Sequence, residues 1–579
     1  MSKHWYKIKN FLECDWLDYI KHFYFSINSV YRHSFWILFI ITNIVFGFHT
    51  INFLWGNHDW NVMIGGQSLT GSIWEGRYGT WIASGILTNN LYLPIISALW
   101  SFVALSLSAI LLAIYWKVPK KISYFVIFGL VLNITPYTLS WLWYAHWSVN
   151  IFFARVFIFT GFILSDKLLQ CATKQKLYNI ILSILLLNLG LSIYPSYIGT
   201  FAMVMVGRIL IDMLQWETLK TALQTSINNY KYIIFNIAIS VVVYKIILKY
   251  MEYGGYIKNN VYNMRTTPLS DIFTKILICI KSAWQQFTSF SISFYPDVLT
   301  KLFFLLAIMF IIGILVNKRK TITIKFSIIT MFLVCLFASK TVMLIAASDN
   351  AMTSRVEFCG YVLFNALIIA LCLNTEGILR NIKVLISCII IYIFAINDLY
   401  QQRTWKMGFD AEQMILNRVV ERIEMQQYTE MYNKYDYVQL GDWISARKIF
   451  YRKKANEIED NDLYAYSLTP SWNPNVVIRF YNPHIQIKKK YTVSTFANSE
   501  FMSVLKRLYD AGILEKAKAW PSKDSVIVYK DIILVVMDDK DLQKAKQIFA
   551  EDNKKQALKD KIKAKAKPIA TTEPQVEAK

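Results

Sequence analysis

The chain has 579 residues, 55% of them hydrophobic and only 17% charged, whereas a soluble globular protein carries about a quarter charged residues. Its 21 Gly and 12 Pro are too few for a collagenous or low-complexity chain. The net charge of +23 does not point to nucleic acid: it lies mostly between apolar segments and in the tail, where it meets anionic membrane lipid headgroups.

Residues 1–34 are polar and charged, lack the pattern of a cleavable signal peptide, and are predicted to be a cytoplasmic segment. A bilayer core is crossed by about 20 apolar residues in helix. Runs of that kind lie at 35–54, 91–115, 122–144, 149–165, 177–193, 197–213, 232–249, 299–316, 326–347, 357–375 and 381–398. The pair 177–193 and 197–213 is hinged at Tyr194-Pro195. With a cytoplasmic N-terminus, the five inner loops hold thirteen Lys and Arg and the five outer loops hold six. That is the bias expected of cytoplasmic loops, and it puts the chain beyond Leu399 outside. The 18 Trp and 35 Tyr suit rings at both lipid–water interfaces.

Two outer stretches stand out. Loop 55–90 holds Trp55-Gly56-Asn57-His58-Asp59-Trp60, Gly65-Gly66-Gln67-Ser68 and Glu75-Gly76-Arg77-Tyr78-Gly79. Stretch 250–298 is rich in Tyr and Asn, and 272–290 within it reads as an amphipathic interfacial helix.

After residue 399 the composition becomes that of a soluble domain. Helices are predicted at 410–427 and near 499–511, with β-rich runs at 435–440, 476–481 and 525–537. The predicted architecture is thus an all-α polytopic membrane bundle of 11 spans over 35–398, followed by a small extracytoplasmic α/β domain over 399–550. Residues 551–579 are predicted to be a charged, largely disordered tail. None of the seven cysteines follows Cys388, which excludes disulfides and cysteine metal sites from the tail.

Ionisable residues in apolar segments are costly and mark candidate sites. Arg155, Lys245 and Lys340 fall within spans, in the outer half, with Arg355 just outside the next span. Lys340 is roughly 10 Å deep at 1.5 Å per residue. Four cations on one leaflet suit a lipid phosphate; the alternative is snorkelling of long side chains to water. Asp59, flanked by His58 and Trp60, is the candidate base for the proton of an attacking hydroxyl; the alternative is a solvated loop aspartate, or a partner of Arg77. Glu75 is a second carboxylate. Arg77 between two glycines offers its fork to phosphate or sugar oxygens, or is a surface turn arginine. Trp141, Trp143, Tyr144 and Trp147 form either a sugar-stacking platform or an interfacial belt. The break Tyr194-Pro195-Ser196-Tyr197 either lines a cavity or is a tight hairpin. His49, His58 and His146 lack the close spacing of metal ligands, so no metal is predicted. Phosphate-binding glycine loops, nucleophile elbows and dinucleotide fingerprints are missing from the sequence, so no nucleotide or redox cofactor is predicted and a lipid-carried sugar fits better than a nucleotide sugar.

The Asp-containing loop after the first span, the Gly76-Arg77 that follows, the Tyr194-Pro195-Ser196-Tyr197 break and the short loop with Arg355 resemble the bacterial O-antigen-modifying, serotype-converting glucosyltransferase family, whose architecture is of the glycosyltransferase C type. The resemblance spans roughly residues 30 to 400 by layout and is concentrated in 55–82, 190–200 and 348–360. The family often pairs acidic residues in the first loop; here His58 precedes Asp59, leaving Asp59 as the family-like candidate. The resemblance implies a polyprenyl-phosphate-glucose donor, a surface polysaccharide acceptor, and partner proteins that synthesise and flip the donor, in the bacterial inner membrane. Three rival readings exist, one being a structural or sensor protein whose outer domain does the work. An O-antigen polymerase or ligase would carry an arginine-rich large loop, but 250–298 holds only Arg265. A transporter or flippase would carry matched broken helices in two halves, but the break at Pro195 has no clear counterpart.

Overall fold

A computed structural model describes residues 21–22, 24–54, 72–73, 76–91, 93–142, 144–168, 172–216, 218–256, 272–288, 297–344, 356, 358–375, 379–426, 434–441, 478, 482, 484–491 and 498–565. The chain divides into two compact units, Met1–Met407 with Tyr451–Tyr466, and Gly408–Phe450 with Ser467–Lys579.

The first unit is helical. Its helices are α1 (Ser29–Ile51), α2 (Tyr78–Thr88), α3 (Pro94–Tyr115), α4 (Ile122–Asn133), α5 (Pro136–Leu142), α6 (Ala145–Lys167), α7 (Thr173–Ile193), α8 (Ile198–Met213), α9 (Leu219–Tyr253), α10 (Ile272–Thr288), α11 (Asp297–Val316), α12 (Ile322–Ala338), α13 (Tyr361–Asn374) and α14 (Arg380–Gln426). The unit boundary falls inside α14, at Gly408. Among the described residues, eight helices are long and apolar enough to cross a membrane, and nine if the bent pair α4–α5 is one span. The chain is a multi-pass membrane protein.

Three of the 11 predicted spans differ from single membrane-length helices. The stretch 122–144 is bent by 55° between α4 and α5, where Pro136 cannot continue the hydrogen-bond ladder and restricts Thr135 before it. The stretch 326–347 ends its α-helix at Ala338 and tightens into a 3₁₀ turn, Thr341–Leu344. The stretch 357–375 contributes only the 14 residues of α13. The predicted interfacial helix is α10, which exposes Phe273, Leu277, Ile280 and Trp284 and buries Lys275, Cys279 and Ala283.

Small residues set the packing. A Cβ on Gly190 would lie 2.5 Å from Ile158 Cγ1, and one on Gly161 would lie 2.9 Å from Leu187 Cγ, so α6 and α7 approach closely at two levels. Between them Ser165 and Ser183 hydroxyls are 2.7 Å apart, and Asn236 of α9 donates to Ser165 Oγ at 2.9 Å. At one end of the bundle the buried Arg208 pairs with Asp212 on its own helix and reaches Asp166 of α6. Lys117 joins Asp212 at 2.8 Å, completing a charge network that ties α6 and α8 to the end of α3.

The second unit has a four-stranded sheet of β1 (Tyr435–Leu440), β2 (Ile487–Tyr491), β3 (Val526–Tyr529) and β4 (Ile532–Val536), in the order β2-β1-β4-β3. β1 is parallel to both neighbours, and β3–β4 is an antiparallel hairpin. The predicted run 525–537 is therefore two strands, turned at Lys530, whose φ is +51°. Strand β2 escapes the sequence pattern, because Lys488, Lys489 and Lys490 interrupt its apolar ends. These charges protect an edge strand from pairing with another chain. The predicted strand 476–481 lies outside the described residues except for Ile478. Helix α15 (Ser499–Asp510), capped by Asn498, packs Phe501, Val504, Leu505 and Leu508 onto the sheet core. Helix α16 spans Asp539–Lys565, so much of the predicted tail is helical.

Candidate active site

The motif Gly76-Arg77-Tyr78-Gly79 is a cradle that presents one guanidinium. Gly76 takes φ +71°, a left-handed conformation that glycine adopts without penalty. Its carbonyl accepts from Tyr244 Oη at 3.0 Å. Arg77 is the N-cap residue of α2. Tyr78 Oη donates to Asn188 Oδ1 at 3.0 Å, and Thr80 Oγ1 donates to the carbonyl of Ile193 at 3.0 Å. A Cβ on Gly79 would sit 2.2 Å from Ser192 Oγ, so only glycine lets α2 lie this close to the end of α7. Thus the successive residues Tyr78, Gly79 and Thr80 pin α2 to the C-terminal end of α7.

This pinning fixes Arg77 among rings. Its guanidinium carbon is 4.7 Å from the centroid of Trp147 and 5.1 Å from that of Tyr194. Such contacts contribute about 0.5–2 kcal/mol depending on desolvation, and they hold the planar group in one orientation. Tyr194 in turn meets Trp141 edge-on at 5.0 Å and Tyr197 at 6.1 Å. Tyr144 stacks on Trp147 at 6.0 Å. The break after α7 is built by Pro195, which starts a 3₁₀ turn, Pro195–Tyr197, leading into α8. Tyr197 is fully buried and donates to the carbonyl of Ile151 at 2.5 Å.

Arg155 lies two turns further along α6, about 12 Å from the level of Trp147 at 1.5 Å per residue. It does not snorkel: it is 0% exposed, its Nη2 donates to the carbonyl of Phe358 at 2.7 Å, and its guanidinium covers the Phe358 ring at 3.5 Å. Thr200, in the first turn of α8, donates to the carbonyl of Cys359 at 2.5 Å. A Cβ on Gly360 would overlap the carbonyl of Ser339. Lys340, 1% exposed, follows that serine, and its ammonium is 5.4 Å from the ring of Tyr361. The segment Phe358–Tyr361 therefore links Arg155 and Lys340.

The helix starts share this region. Those of α2 and α6 meet the α7–α8 break at Arg77, Trp147 and Tyr194, and those of α8 and α13 adjoin through Thr200. The first turns of α2, α6, α8 and α13 contain no acidic residue, and none is capped by a side chain. Helix starts carry partial positive charge and favour anions. With Arg77 at the same rim, the arrangement suits recognition of a phosphate next to aromatic rings.

Of the predicted site residues, Arg77, Tyr194 and Tyr197 are brought together, and Arg155 and Lys340 flank a neighbouring segment. Lys245 is exposed, and the adjacent Tyr244 is the residue that faces inward. His58, Asp59, Trp60, Glu75 and Arg355 lie outside the described residues. Asn188, Tyr244 and Tyr361 were not singled out by sequence, and Tyr78 was seen only as part of the Gly76–Gly79 motif. Of the other three, only Asn188 carried a signal, as an amide in an apolar run.

The profile of one protein family, described as glucosyl transferase GtrII, matches residues 56–370, more than half of the chain. Neither the curated proteins nor the solved structures include a match. The matched range contains the Gly76–Gly79 cradle, the ring cluster and the α7–α8 break, and the chain belongs to the glucosyl transferase GtrII family, membrane glucosyltransferases that act in O-antigen modification.

Proposed function

We propose that the protein moves glucose from a polyprenyl-phosphate carrier, on the outer face of the bacterial inner membrane, to a surface polysaccharide. The observation that carries this reading is Arg77 held over Trp147 and Tyr194 beside uncapped helix starts. A guanidinium among rings at a membrane-bundle rim suits a sugar joined to a lipid phosphate. The donor enters from the outer leaflet. Arg77 binds its phosphate, with Arg355 from the short loop before the span 357–375, and Lys340 and Arg155 supply further positive charge. Tyr194, His58, Trp60 and Glu75 shape the sugar and acceptor side, with the buried Tyr197 supporting Tyr194 from behind. Asp59 takes the proton of an acceptor hydroxyl as that oxygen attacks the anomeric carbon. The bond from that carbon to the phosphate oxygen breaks, and lipid phosphate leaves with the electron pair, stabilised by the cations. A donor synthase and a flippase supply the carrier. The Lys and Arg bias of the loops supports an N-terminus inside and a second unit outside.

The test is mass spectrometry of surface polysaccharide from cells making the wild-type protein, Asp59→Asn or no protein, with membrane insertion measured in each. A hexose-sized addition with wild type only, the variant being inserted, is the expected result. Chain length that collapses without the protein, at constant repeat mass, would instead identify a polymerase or ligase.

A further inference from the structure

A second polar cluster lies apart from the ring site, among α1, α11 and α14. Asp398 is 0% exposed, and neither carboxylate oxygen has a hydrogen-bond partner. Within this cluster Gln401 Oε1, Thr42 Oγ1 and Thr300 Oγ1 share that state. Their positions follow from contacts on either side. On α14 and α11, Phe394 meets Phe303 at 6.1 Å, and Lys383 Nζ is 4.0 Å from where a Gly313 Cβ would be. The two helices are therefore antiparallel, and the same register sets Thr300 level with Asn397 and Asp398. Thr300 shares a face with Phe303, three residues on, and Asp398 shares one with Phe394, four residues back.

On α1, the Gln402 amide nitrogen donates to the carbonyl of Val45 at 2.8 Å, its oxygen accepts from the backbone of His49 at 3.0 Å, and Trp405 packs on His49 at 5.0 Å. One turn back along both helices, Asp398 is level with Thr42. Gln401 is three residues from Asp398 on the same face. Lys301 and Arg403, cations close in sequence to Thr300 and Gln401, are exposed. Lys383 is bonded to Thr375 Oγ1, roughly 22 Å along α14 from Asp398 at 1.5 Å per residue.

A buried carboxylate without compensation is strongly unfavourable. The Thr42 and Thr300 hydroxyls can each donate, yet neither is bonded to the carboxylate, and a single added proton would engage at most one more oxygen. A bound cation would engage all of them, and oxygen ligands select hard cations. One negative charge among neutral oxygens balances a single positive charge. We propose that Asp398, Gln401, Thr42 and Thr300 form a binding site for a monovalent hard cation of the sodium class, joining α1, α11 and α14. This site is independent of the transferase reading.

The test uses the full chain in lipid nanodiscs, with melting temperature followed against sodium chloride and, at equal ionic strength, N-methylglucamine chloride. We expect Tm to rise and saturate with sodium alone. Asp398→Asn, nearly isosteric, should lose the sodium response, and Thr300→Val should shift its midpoint to higher sodium. Should Asp398→Asn fail to fold, the wild-type titration and Thr300→Val still decide. Equal melting in both salts, a full response in Asp398→Asn, or an unshifted midpoint in Thr300→Val would overturn the proposal.

Discussion

Arg77 shows how a short motif becomes a site. The glycines on each side have different tasks: Gly76 supplies a positive φ, and Gly79 lets helix α2 touch α7. The motif was visible in sequence, but its alternatives, phosphate fork or surface turn, were not separable there, because the rings that hold Arg77 come from residues 70 and 117 positions away. Arg155 was equally ambiguous: its burial and its bond to Phe358 come from tertiary packing alone. Lysine keeps the charge of Arg77 but loses the planar fork and the ring stacking. We expect Arg77→Lys to insert normally and to lower glucosyl transfer about 10- to 100-fold, or about 1.4–2.7 kcal/mol, measured as polysaccharide glucosylation per inserted protein. Unchanged transfer would remove Arg77 from the site. A second residue-scale expectation concerns the other unit. Burial in β1 pushes the Asp436 carboxyl above its ordinary value, against the opposing pull of Lys488. The folded unit then holds this proton more tightly than the unfolded chain, so its stability falls as pH rises from the ordinary aspartate range through the raised value. Hydrogen exchange of the β1 amides, corrected for intrinsic rates, should show that slope in the wild type and a shallower one in Asp436→Asn.

At the scale of elements, hydropathy located the helices because a lipid solvent demands long apolar runs with satisfied backbones. It could not see where those runs break. Mean hydropathy runs straight through the bend at Pro136, because its polar neighbours Asn133, Thr135, Thr138 and Ser140 are buried within an apolar stretch. The turn after Ala338 starts at Ser339-Lys340-Thr341, three polar residues inside a longer apolar run, and the close approach of Gly360 to Ser339 is a long-range contact. Helix α10 was legible through its periodicity, and its exposed stripe of Phe273, Leu277, Ile280 and Trp284 suits the headgroup–acyl boundary. A nitroxide at position 277 should be accessible to oxygen and poorly accessible to a water-soluble nickel chelate. The opposite pattern would place that stripe in water.

At the scale of the molecule, the first unit concentrates its polar groups at levels that serve different ends. The charge network of Arg208 and Asp212 is paired throughout and ties helices together. The Arg77 rim instead offers rings and uncapped helix starts, which is where a ligand with phosphate and sugar would gain most. The second unit has its own core around Leu440, Leu505, Leu534 and Phe549. Its strands were only partly legible, because β2 is defined by pairing with β1 across a long sequence distance, and Lys530-Asp531 turns a run that reads as one strand.

The central claim is that the sugar arrives on a lipid phosphate. The most direct measurement reconstitutes the purified protein in liposomes with O-polysaccharide acceptor and radiolabelled glucose, carried either on polyprenyl phosphate or on a nucleotide diphosphate. The account predicts label in the polysaccharide from the lipid donor alone, and far less with Arg77→Lys. Transfer from the nucleotide sugar without lipid, or none from the lipid donor by an inserted and folded protein, would contradict it.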